Sequence, residues 1–304
     1  MNKITILTTT SSFSSPIDSD RFEVVHNPLG RRLSEEDVVS LLENHQPAGI
    51  IAGIEPLTER ALKASKNLKV ISRCGIGLDS VDLKAAELLG IEVLNTPDEP
   101  TDAVAELTIA LSLSVLRKIP ELDHGVREGN WKGQKGFLLK GKTVGIIGCG
   151  RIGSRVAFLF KAFGCSPVGY DPYVKEHEII EMRDLDSIIR DSDILTLHIP
   201  LNDNTRNIIS RERILEMKSG AVLINTARGG LVDEGALYES LSEGRLAGAG
   251  MDCFGVEPYH GKLTELDNVV LTPHMGSSTY ETRKKMEEKA VENLIKGLTE
   301  AGLI

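Results

Sequence analysis

VGIIGCGRIG, residues 144–153, is an apolar run that leads into three glycines with the spacing GxGxxG. The run predicts a buried strand and residues 154–163 predict a helix, so the glycines fall in the turn between them. Gly148 permits the tight turn, Gly150 lets the backbone approach a pyrophosphate, and Gly153 lets the helix pack on the strand. The first N–H groups of such a helix are free and carry partial positive charge, which suits a phosphate.

An acidic residue follows this turn at the distance that nucleotide recognition requires. The next predicted strand, residues 167–170, ends at Asp171, about 20 residues after the glycines, where a carboxylate bonds the ribose hydroxyls of an adenosine. Glycine-rich turns without ligands are common, but the strand, the helix and the acid together favour a nucleotide site. The carboxylate also repels a 2′-phosphate, so NAD is favoured over NADP.

Short apolar or β-branched runs alternate with helical patterns from end to end. Strands without clean polar alternation, separated by helices, indicate parallel sheets covered on both faces. The proline-containing stretch 95–100 predicts a crossing between two such series. We therefore predict an α/β fold with two doubly wound parallel-sheet domains. A Rossmann NAD-binding domain, residues 101–278, is inserted in a flavodoxin-like substrate-binding domain made of residues 1–100 and 279–304.

The composition and net charge of the chain limit the classes of molecule that it is expected to bind. The 304 residues carry a formal net charge of −9 without a dense Lys/Arg run, so neither nucleic acid nor a membrane is expected as a partner. No apolar stretch approaches the length of a membrane span or a signal segment. The cysteines lie far apart without metal-binding spacing, which predicts no metal site and reduced structural thiols in the cytoplasm. They are Cys74, Cys149, Cys165 and Cys253.

Three polar residues follow predicted strands in the second half of the chain: Arg228, Glu257 and His274. An arginine binds a planar carboxylate bidentately, and a histidine can exchange the proton of a substrate oxygen. A carboxylate beside that histidine would fix its orientation. Each residue alone has a structural explanation, as a surface arginine, a loop acid or a structural histidine. Together they match the needs of hydride transfer to a 2-keto acid.

Several stretches match the patterns of one protein family, and they occur in the same order. They are Gly148–Gly153, Leu197–Leu201 (LHIPL), Asn225–Leu237 (NTARGGLVDEGAL), Met251–Pro258 and Pro273–Thr279. Through them the chain resembles the D-isomer-specific 2-hydroxyacid dehydrogenases over nearly its whole length. The resemblance implies an NAD-dependent enzyme that moves a hydride between the nicotinamide and C2 of a small D-2-hydroxy acid. In it, Arg228, Glu257 and His274 match the catalytic arginine, glutamate and histidine.

The same resemblance assigns further residues to the cofactor and the substrate. Arg151 and Ile152 would bind the pyrophosphate, and Asp252 would accept the nicotinamide carboxamide. The other residues assigned to the cofactor are His198, Ile199, Pro200, Thr205, Thr226, Ala227 and Gly276. A loop with Arg73, Gly75, Ile76 and Gly77 would hold the substrate carboxylate, with its backbone N–H groups as an anion-binding nest. Family members are usually dimers joined through their cofactor domains, an interface that the apolar residues of 101–116 would suit.

Within the family, the stretches RCGIGLDSVD and NTPDEPTDAVAEL look most like those of D-3-phosphoglycerate dehydrogenases, which catalyse the first step of the phosphorylated route to serine. Two departures from that pattern are Asp98-Glu99-Pro100, where many such enzymes carry asparagine and glycine, and Gly53-Ile54-Glu55, which lacks an arginine that helps to hold the phosphate. Because the sequence ends at Ile304, no serine-sensing domain is expected.

Two alternatives remain open. A hydroxypyruvate or glyoxylate reductase would share the fold, the cofactor and the three polar residues, and would differ in the substrate pocket. An NAD-sensing corepressor on the same fold also keeps the three residues, but normally carries long flexible tails. A formate dehydrogenase is disfavoured because it pairs its histidine with glutamine, whereas this chain offers Glu257.

Overall fold

The computed structural model describes residues 3–304 and divides the chain into two compact units. One unit comprises Met1–Pro100 and Ser277–Ile304, and the other comprises Thr101–Gly276. Each contains one sheet in which every pair of neighbouring strands is parallel. This architecture confirms the predicted fold class of two parallel-sheet α/β domains.

The first unit, here the substrate unit, has a sheet of five strands in the order β2-β1-β3-β4-β5, which is the flavodoxin-like order. Its strands are β1 (Ile4–Thr8), β2 (Phe22–His26), β3 (Gly49–Ala52), β4 (Val70–Arg73) and β5 (Glu92–Asn95). Its helices, numbered along the chain, are α1 (Glu35–His45), α2 (Glu59–Leu62), α3 (Leu83–Leu88) and α10 (Tyr280–Glu300). The sequence did not predict β2, an edge strand in which Phe22 is buried and the other side chains are partly or fully exposed.

The second unit, here the NAD unit, has seven strands in the order β12-β11-β10-β9-β6-β7-β8. Its strands are β6 (Thr143–Ile147), β7 (Ser166–Tyr170), β8 (Glu181–Met182), β9 (Ile194–Leu197), β10 (Val222–Asn225), β11 (Gly248–Met251) and β12 (Val269–Leu271). Its helices are α4 (Thr101–Leu116), α5 (Ile119–Arg127), α6 (Arg151–Ala162), α7 (Leu185–Asp191), α8 (Arg211–Glu216) and α9 (Glu234–Ser242), with a 3₁₀ turn at Lys262–Glu265.

Two separate hydrophobic clusters flank the sheet of each unit. In the NAD unit, Leu197 and Leu223 belong to one cluster, while Ile146 and Ile224 belong to the other. Neighbouring residues of a strand thus point to opposite faces, and both faces are buried. This arrangement explains why the strands read as continuous apolar runs rather than as alternating patterns.

Helix starts in the substrate unit follow ordinary capping rules. Ser34 caps α1 in a capping box with Asp37, and Thr279 accepts the N–H of Thr282 at the start of α10. The helix after the glycine-rich turn is different. The N-cap residue of α6 is Gly150, which offers no side chain to the first N–H groups. That helix end is therefore left open to a ligand.

The position of α4 corrects one expectation from the sequence. Its apolar residues were expected to suit a dimer interface, but most of them are buried within the NAD unit, where α4 packs on β10, β11 and α6. Leu111, for example, has 2% exposure. Several exposed apolar side chains lie further along, on α5 and in the segment that follows it.

Candidate active site

The topological switch point of the NAD sheet lies between β6 and β9, because the chain turns to opposite sides of the sheet after these two strands. Ligands of doubly wound sheets bind at the carboxyl ends of such strands. Gly148 follows β6 with φ of 95°, and a Cβ atom there would lie 2.4 Å from the carbonyl oxygen of His198, which follows β9. The backbone of the glycine turn therefore lies against the backbone that follows β9, and only glycine permits a contact this close.

The two other glycines of the turn have different surroundings. A Cβ atom at Gly153 would lie 1.9 Å from the carbonyl oxygen of Gly148, so α6 packs directly on the turn. At Gly150 a Cβ atom would meet nothing within 4 Å. Gly150 thus provides the open approach that was predicted for the pyrophosphate.

Asp171 lies directly after β7 and is held against the turn. Its Oδ2 accepts the N–H of Cys149 at 2.9 Å, and its Oδ1 accepts the N–H of Tyr173 at 2.9 Å. The carboxylate therefore has a fixed position beside the glycines and still has acceptor capacity for ribose hydroxyls. This position agrees with the geometry that nucleotide recognition requires.

His198 carries an orphaned polar atom at the switch point. Its Nε2 lies 3.0 Å from Oγ1 of Thr196, whereas its buried Nδ1 has no hydrogen-bond partner among residues 3–304. Burial lowers the pKa of His198 to about 3, so the ring is neutral at physiological pH. An unpartnered ring nitrogen, the open end of α6 and the fixed Asp171 together fit a bound dinucleotide.

Several other residues that the resemblance assigns to the cofactor have side chains engaged within the NAD unit itself. Ile152 and Ile199 pack their side chains against the hydrophobic clusters, as does Ala227. Thr205 donates its hydroxyl to the carbonyl of Pro200 at 2.7 Å and so fixes the loop after β9. Arg151 is the first residue of α6 and is exposed.

Arg228 lies in the loop after β10, and hydrogen bonds and a close backbone contact fix the conformation of this loop. The side chain of buried Asn225 accepts the N–H of Ala227 at 3.1 Å and donates to the carbonyl of Arg228 at 2.8 Å. The next residue, Gly229, approaches the loop after β11 so closely that a Cβ atom would lie 1.9 Å from the carbonyl carbon of Phe254. Asn225 and Gly229 therefore fix where Arg228 lies, and the sequence reasoning assigned neither of them a role.

Thr226 lies in the same loop and is fixed by α4. Thr108 donates its hydroxyl to the carbonyl of Val104 at 2.8 Å, so its oxygen accepts from the hydroxyl of Thr226 at 2.9 Å. Thr108 is fully buried. This contact ties the loop after β10 to α4 and leaves Thr226 fixed rather than mobile.

His274 and Glu257 form the pair that the sequence predicted. Nδ1 of His274 lies 3.0 Å from each carboxylate oxygen of Glu257, and Oε1 of Glu257 also accepts the N–H of Phe254 at 3.1 Å. The pairing leaves Nε2 as the ring nitrogen that can face a ligand. His274 has φ of 52°, the left-handed region that is unfavourable for a side chain with a Cβ atom, and such strain is concentrated at functional sites.

Asp252 holds both sides of the His274 loop. Its Oδ1 accepts the hydroxyl of Thr272 at 2.6 Å and the N–H of Met275 at 2.8 Å, while Oδ2 accepts the N–H of Gly276 at 2.9 Å. Burial raises the pKa of Asp252, and these hydrogen bonds oppose the rise. The resemblance assigned Asp252 to the cofactor carboxamide; three donors from its own chain already engage the carboxylate.

The loop after β4 in the substrate unit carries the residues predicted to bind a carboxylate. Gly75 has φ of 142°, and its N–H donates to the carbonyl of Arg73 at 3.0 Å. Gly75 thus contributes its conformation rather than an amide, which corrects part of the predicted nest. The carbonyl of Ile76 accepts from Asn95 at 2.7 Å, which ties the loop to the end of β5. The prediction that the amides of Ile76 and Gly77 hold an anion stays a prediction.

The switch point of the substrate sheet lies between β1 and β3 and holds a buried carboxylate. Glu55 has 2% exposure; its Oε1 accepts the hydroxyl of Thr9 and the N–H of Gly53, the latter at 2.9 Å. The hydroxyl of Thr10 is buried beside it without a partner among residues 3–304. An acid thus stands at the edge where doubly wound sheets bind ligands.

Comparison with known proteins agrees with this geometry. Residues 109–276 match the family model described as "D-isomer specific 2-hydroxyacid dehydrogenase, NAD binding domain". The hydroxypyruvate reductase of Thermotoga maritima is 41% identical over 300 residues, which cover 94% of this chain and 97% of that protein. The D-3-phosphoglycerate dehydrogenase of Methanocaldococcus jannaschii is 38% identical over 94% of this chain, but the match spans only 56% of that protein.

Among solved structures, the TT0316 protein of Thermus thermophilus superposes with a TM-score of 0.89 at 37% identity, covering 98% of this chain and 97% of that one. The fold, the nucleotide site and the matched domain define an NAD-dependent oxidoreductase. The chain belongs to the D-isomer-specific 2-hydroxyacid dehydrogenase family. None of the helices described within residues 3–304 is long and apolar enough to cross a bilayer.

Proposed function

We propose that this member of the family reduces a small unphosphorylated 2-keto acid, of the hydroxypyruvate or glyoxylate type, to the D-2-hydroxy acid with NADH. The reverse oxidation uses the same groups. The observation that carries the substrate assignment is the buried carboxylate of Glu55 at the switch point of the substrate sheet, in the stretch Gly53-Ile54-Glu55, which has no arginine. A phosphate on C3 is doubly charged, and a nearby buried carboxylate repels it.

The proton step is assigned to His274. Because Nδ1 faces both oxygens of Glu257 at 3.0 Å, Nε2 exchanges the proton with the oxygen on C2 of the substrate. Glu257 fixes the orientation of the ring and stabilises the charge that it gains when it takes a proton. Asp252 positions the ring by holding the residues on both sides of it.

Each unit by itself offers donors for the substrate carboxylate. In the NAD unit Arg228 presents a guanidinium, which binds carboxylates in bidentate geometry. In the substrate unit the N–H groups of Ile76 and Gly77 would form a small backbone nest for the same carboxylate. The glycine turn and Asp171 would hold NAD, which supplies hydride transfer at its nicotinamide ring. Correct placement of the reactants contributes a large share of the rate in such reactions.

The test is a comparison of kcat/KM for hydroxypyruvate, glyoxylate and 3-phosphohydroxypyruvate with NADH. We expect the phosphorylated substrate to be poorer than hydroxypyruvate by at least about tenfold, which corresponds to about 1.4 kcal/mol. A preference for 3-phosphohydroxypyruvate would contradict the proposal. Absence of turnover with every 2-keto acid would favour the binding role of an NAD-sensing corepressor.

A second candidate is oxidation of D-3-phosphoglycerate to 3-phosphohydroxypyruvate. It is favoured by the 38% identity with the Methanocaldococcus jannaschii enzyme and by the stretch RCGIGLDSVD. The same kinetic comparison separates the two candidates. Efficient oxidation of D-3-phosphoglycerate with NAD, beside weak reduction of hydroxypyruvate, would establish the second.

We also propose a homodimer joined through α5 and the segment that follows it in the NAD unit. No residue of α5 is buried, and Ile119 and Val126 lie exposed on it. Trp131 with 89% exposure and Leu138 with 76% continue this apolar surface, which is typical of an interface. Sedimentation should show a dimer, and the double variant Trp131→Ser with Leu138→Glu should be monomeric. A wild-type monomer would rule the interface out.

The state of the cysteines supports a proposal for the cellular compartment of the protein. All four are buried and none is paired in a disulfide. Reduced thiols of this kind are typical of the cytoplasm, where we place the enzyme.

A further inference from the structure

Three potential metal ligands meet where the loops after β11 and β12 lie side by side. One ligand atom from each of Cys253, Glu257 and His274 lies within 4.8 Å of the other two. Since β11 and β12 are neighbouring parallel strands, their carboxyl ends bring the loops together. The sequence analysis predicted no metal site, because His274 is distant in sequence from Cys253 and no standard metal-binding spacing connects them.

The chemistry of this group matches Zn²⁺. Zinc takes sulfur, imidazole nitrogen and carboxylate oxygen at roughly 2.0–2.3 Å, so the ligand atoms of a tetrahedral site are about 3.3–3.8 Å apart. The separations within the group thus need only small side-chain movements to reach this geometry. Three protein ligands leave the fourth position of the tetrahedron for water or an anion.

The surroundings of Cys253 indicate a reversible site rather than a structural one. Its side chain has 1% exposure and its sulfur lies 3.5 Å from the carbonyl oxygen of Ala227. A metal ion must displace the thiol proton, and the contact between Nδ1 of His274 and Glu257 must open or bend. Both costs lower the affinity.

We propose that Zn²⁺ binds Cys253, Glu257 and His274 and thereby inhibits the enzyme reversibly. The inhibitory part rests on the proposed function, because it follows from the acid–base role of His274. A ring whose Nδ1 is bound to the metal can no longer become the imidazolium, which is the acid form that donates a proton to the substrate oxygen. The thiol adds a soft ligand to an acid–base pair and so selects ions of the zinc class over magnesium or calcium.

The binding part is tested without turnover. The metal-free protein is titrated with Co²⁺, which accepts the ligands of zinc and absorbs light when a thiolate coordinates it. We expect one Co²⁺ per chain, a thiolate-to-cobalt absorption band, and displacement of the band by Zn²⁺. Cys253→Ser should lose the band, while Cys165→Ser, which alters another buried cysteine of the NAD unit, should keep it. A band that is absent from the wild type, or that persists in Cys253→Ser, overturns the site and leaves the proposed function intact.

The inhibitory part is tested by the Zn²⁺ concentration that halves NADH-dependent turnover, measured for each variant against its own zinc-free rate. Cys253→Ser should raise this concentration by about 10- to 100-fold, the scale on which a partner of a metal site contributes to affinity. Cys165→Ser should not change it, and a chelator should restore the rate. Cys253→Val also removes the thiol but keeps the position apolar. It serves as a second variant in case the serine variant misfolds. An unshifted half-inhibiting concentration in both Cys253 variants contradicts the proposal.

Discussion

The carboxyl edges of the two sheets differ in what they present, although both belong to doubly wound parallel sheets. In the NAD unit, His274, Glu257 and Asp252 come from neighbouring loops and are tied by hydrogen bonds of 2.6–3.1 Å. In the substrate unit, the edge presents a buried acid at Glu55 and the loop with Ile76 and Gly77. On the proposed function, the first edge supplies the groups that move protons, and the second supplies a surface that accepts or rejects a substrate.

On the proposed function, this difference gives the two units separate tasks. Side chains held by several bonds keep one geometry, which acid–base chemistry requires. The loops of the substrate unit can change their side chains without disturbing that geometry. Variants at the NAD edge should therefore change the rate for every substrate, whereas variants at the substrate edge should change the order of preference.

The largest effect is expected from His274→Gln. Loss of the proton-exchanging nitrogen should lower kcat by about 10²–10⁴-fold, the usual scale of general acid–base catalysis. Steady-state kinetics with hydroxypyruvate measures it, and an unchanged melting temperature serves as the control for folding. Near wild-type kcat would remove His274 from the mechanism.

Asp252→Asn should have the next largest effect. The amide nitrogen would face the N–H of Gly276, which now donates to Oδ2 at 2.9 Å, and a donor would meet a donor. An unsatisfied buried group costs about 1–3 kcal/mol, so kcat should fall by roughly 10- to 100-fold as the His274 loop shifts. If kcat is unchanged while the KM for NADH rises, Asp252 acts on the cofactor alone and the positioning role is wrong.

Asp171→Ala should weaken NADH binding by about tenfold, while the KM for NADPH stays the same or falls. The carboxylate now beside the glycine turn would no longer bond the ribose or repel a 2′-phosphate. The readout is the ratio of kcat/KM for the two cofactors. Equal losses with both would count against the ribose role and would indicate collapse of the turn.

The smallest expected effect is a change in how the free energy of unfolding depends on pH when His198 is replaced. Its folded pKa of about 3 lies below the ordinary value of 6.5, so the unfolded chain binds more protons between these values. Stability from this group is present above about pH 6.5 and is lost as the pH falls towards 3. His198→Asn should therefore lose less stability than the wild type between pH 7 and pH 4, as measured by chemical denaturation. Parallel pH profiles would show that the ring is not buried in its neutral form.

Sequence reasoning predicted the NAD edge better than the substrate edge. The glycine turn, Asp171 and the His274–Glu257 pair follow strand ends whose apolar runs are unambiguous. The nearness of Cys253 to His274 depends on the pairing of β11 with β12, which no spacing along the chain reveals.

Three further features differed from the sequence predictions or were not predicted, and the reasons again lie in the three-dimensional structure. The amide of Gly75 turns back to Arg73 because of its local φ, and β2 is an edge strand with a single buried side chain, Phe22, which gives no pattern. The apolar residues of α4 are buried against the sheet rather than exposed. In each case the observed structure depends on the path of the backbone or on residues that are neighbours only in three dimensions. A local pattern in the sequence indicates neither of them.

The division of tasks between the edges is tested most directly by measuring kcat/KM for hydroxypyruvate, glyoxylate and 3-phosphohydroxypyruvate in two variants. His274→Gln should lower all three values by a similar factor and keep the wild-type order. Glu55→Gln, which removes the charge that repels phosphate, should raise the value for 3-phosphohydroxypyruvate relative to hydroxypyruvate. A changed order in His274→Gln, or an unchanged ratio of 3-phosphohydroxypyruvate to hydroxypyruvate in Glu55→Gln, would contradict the account.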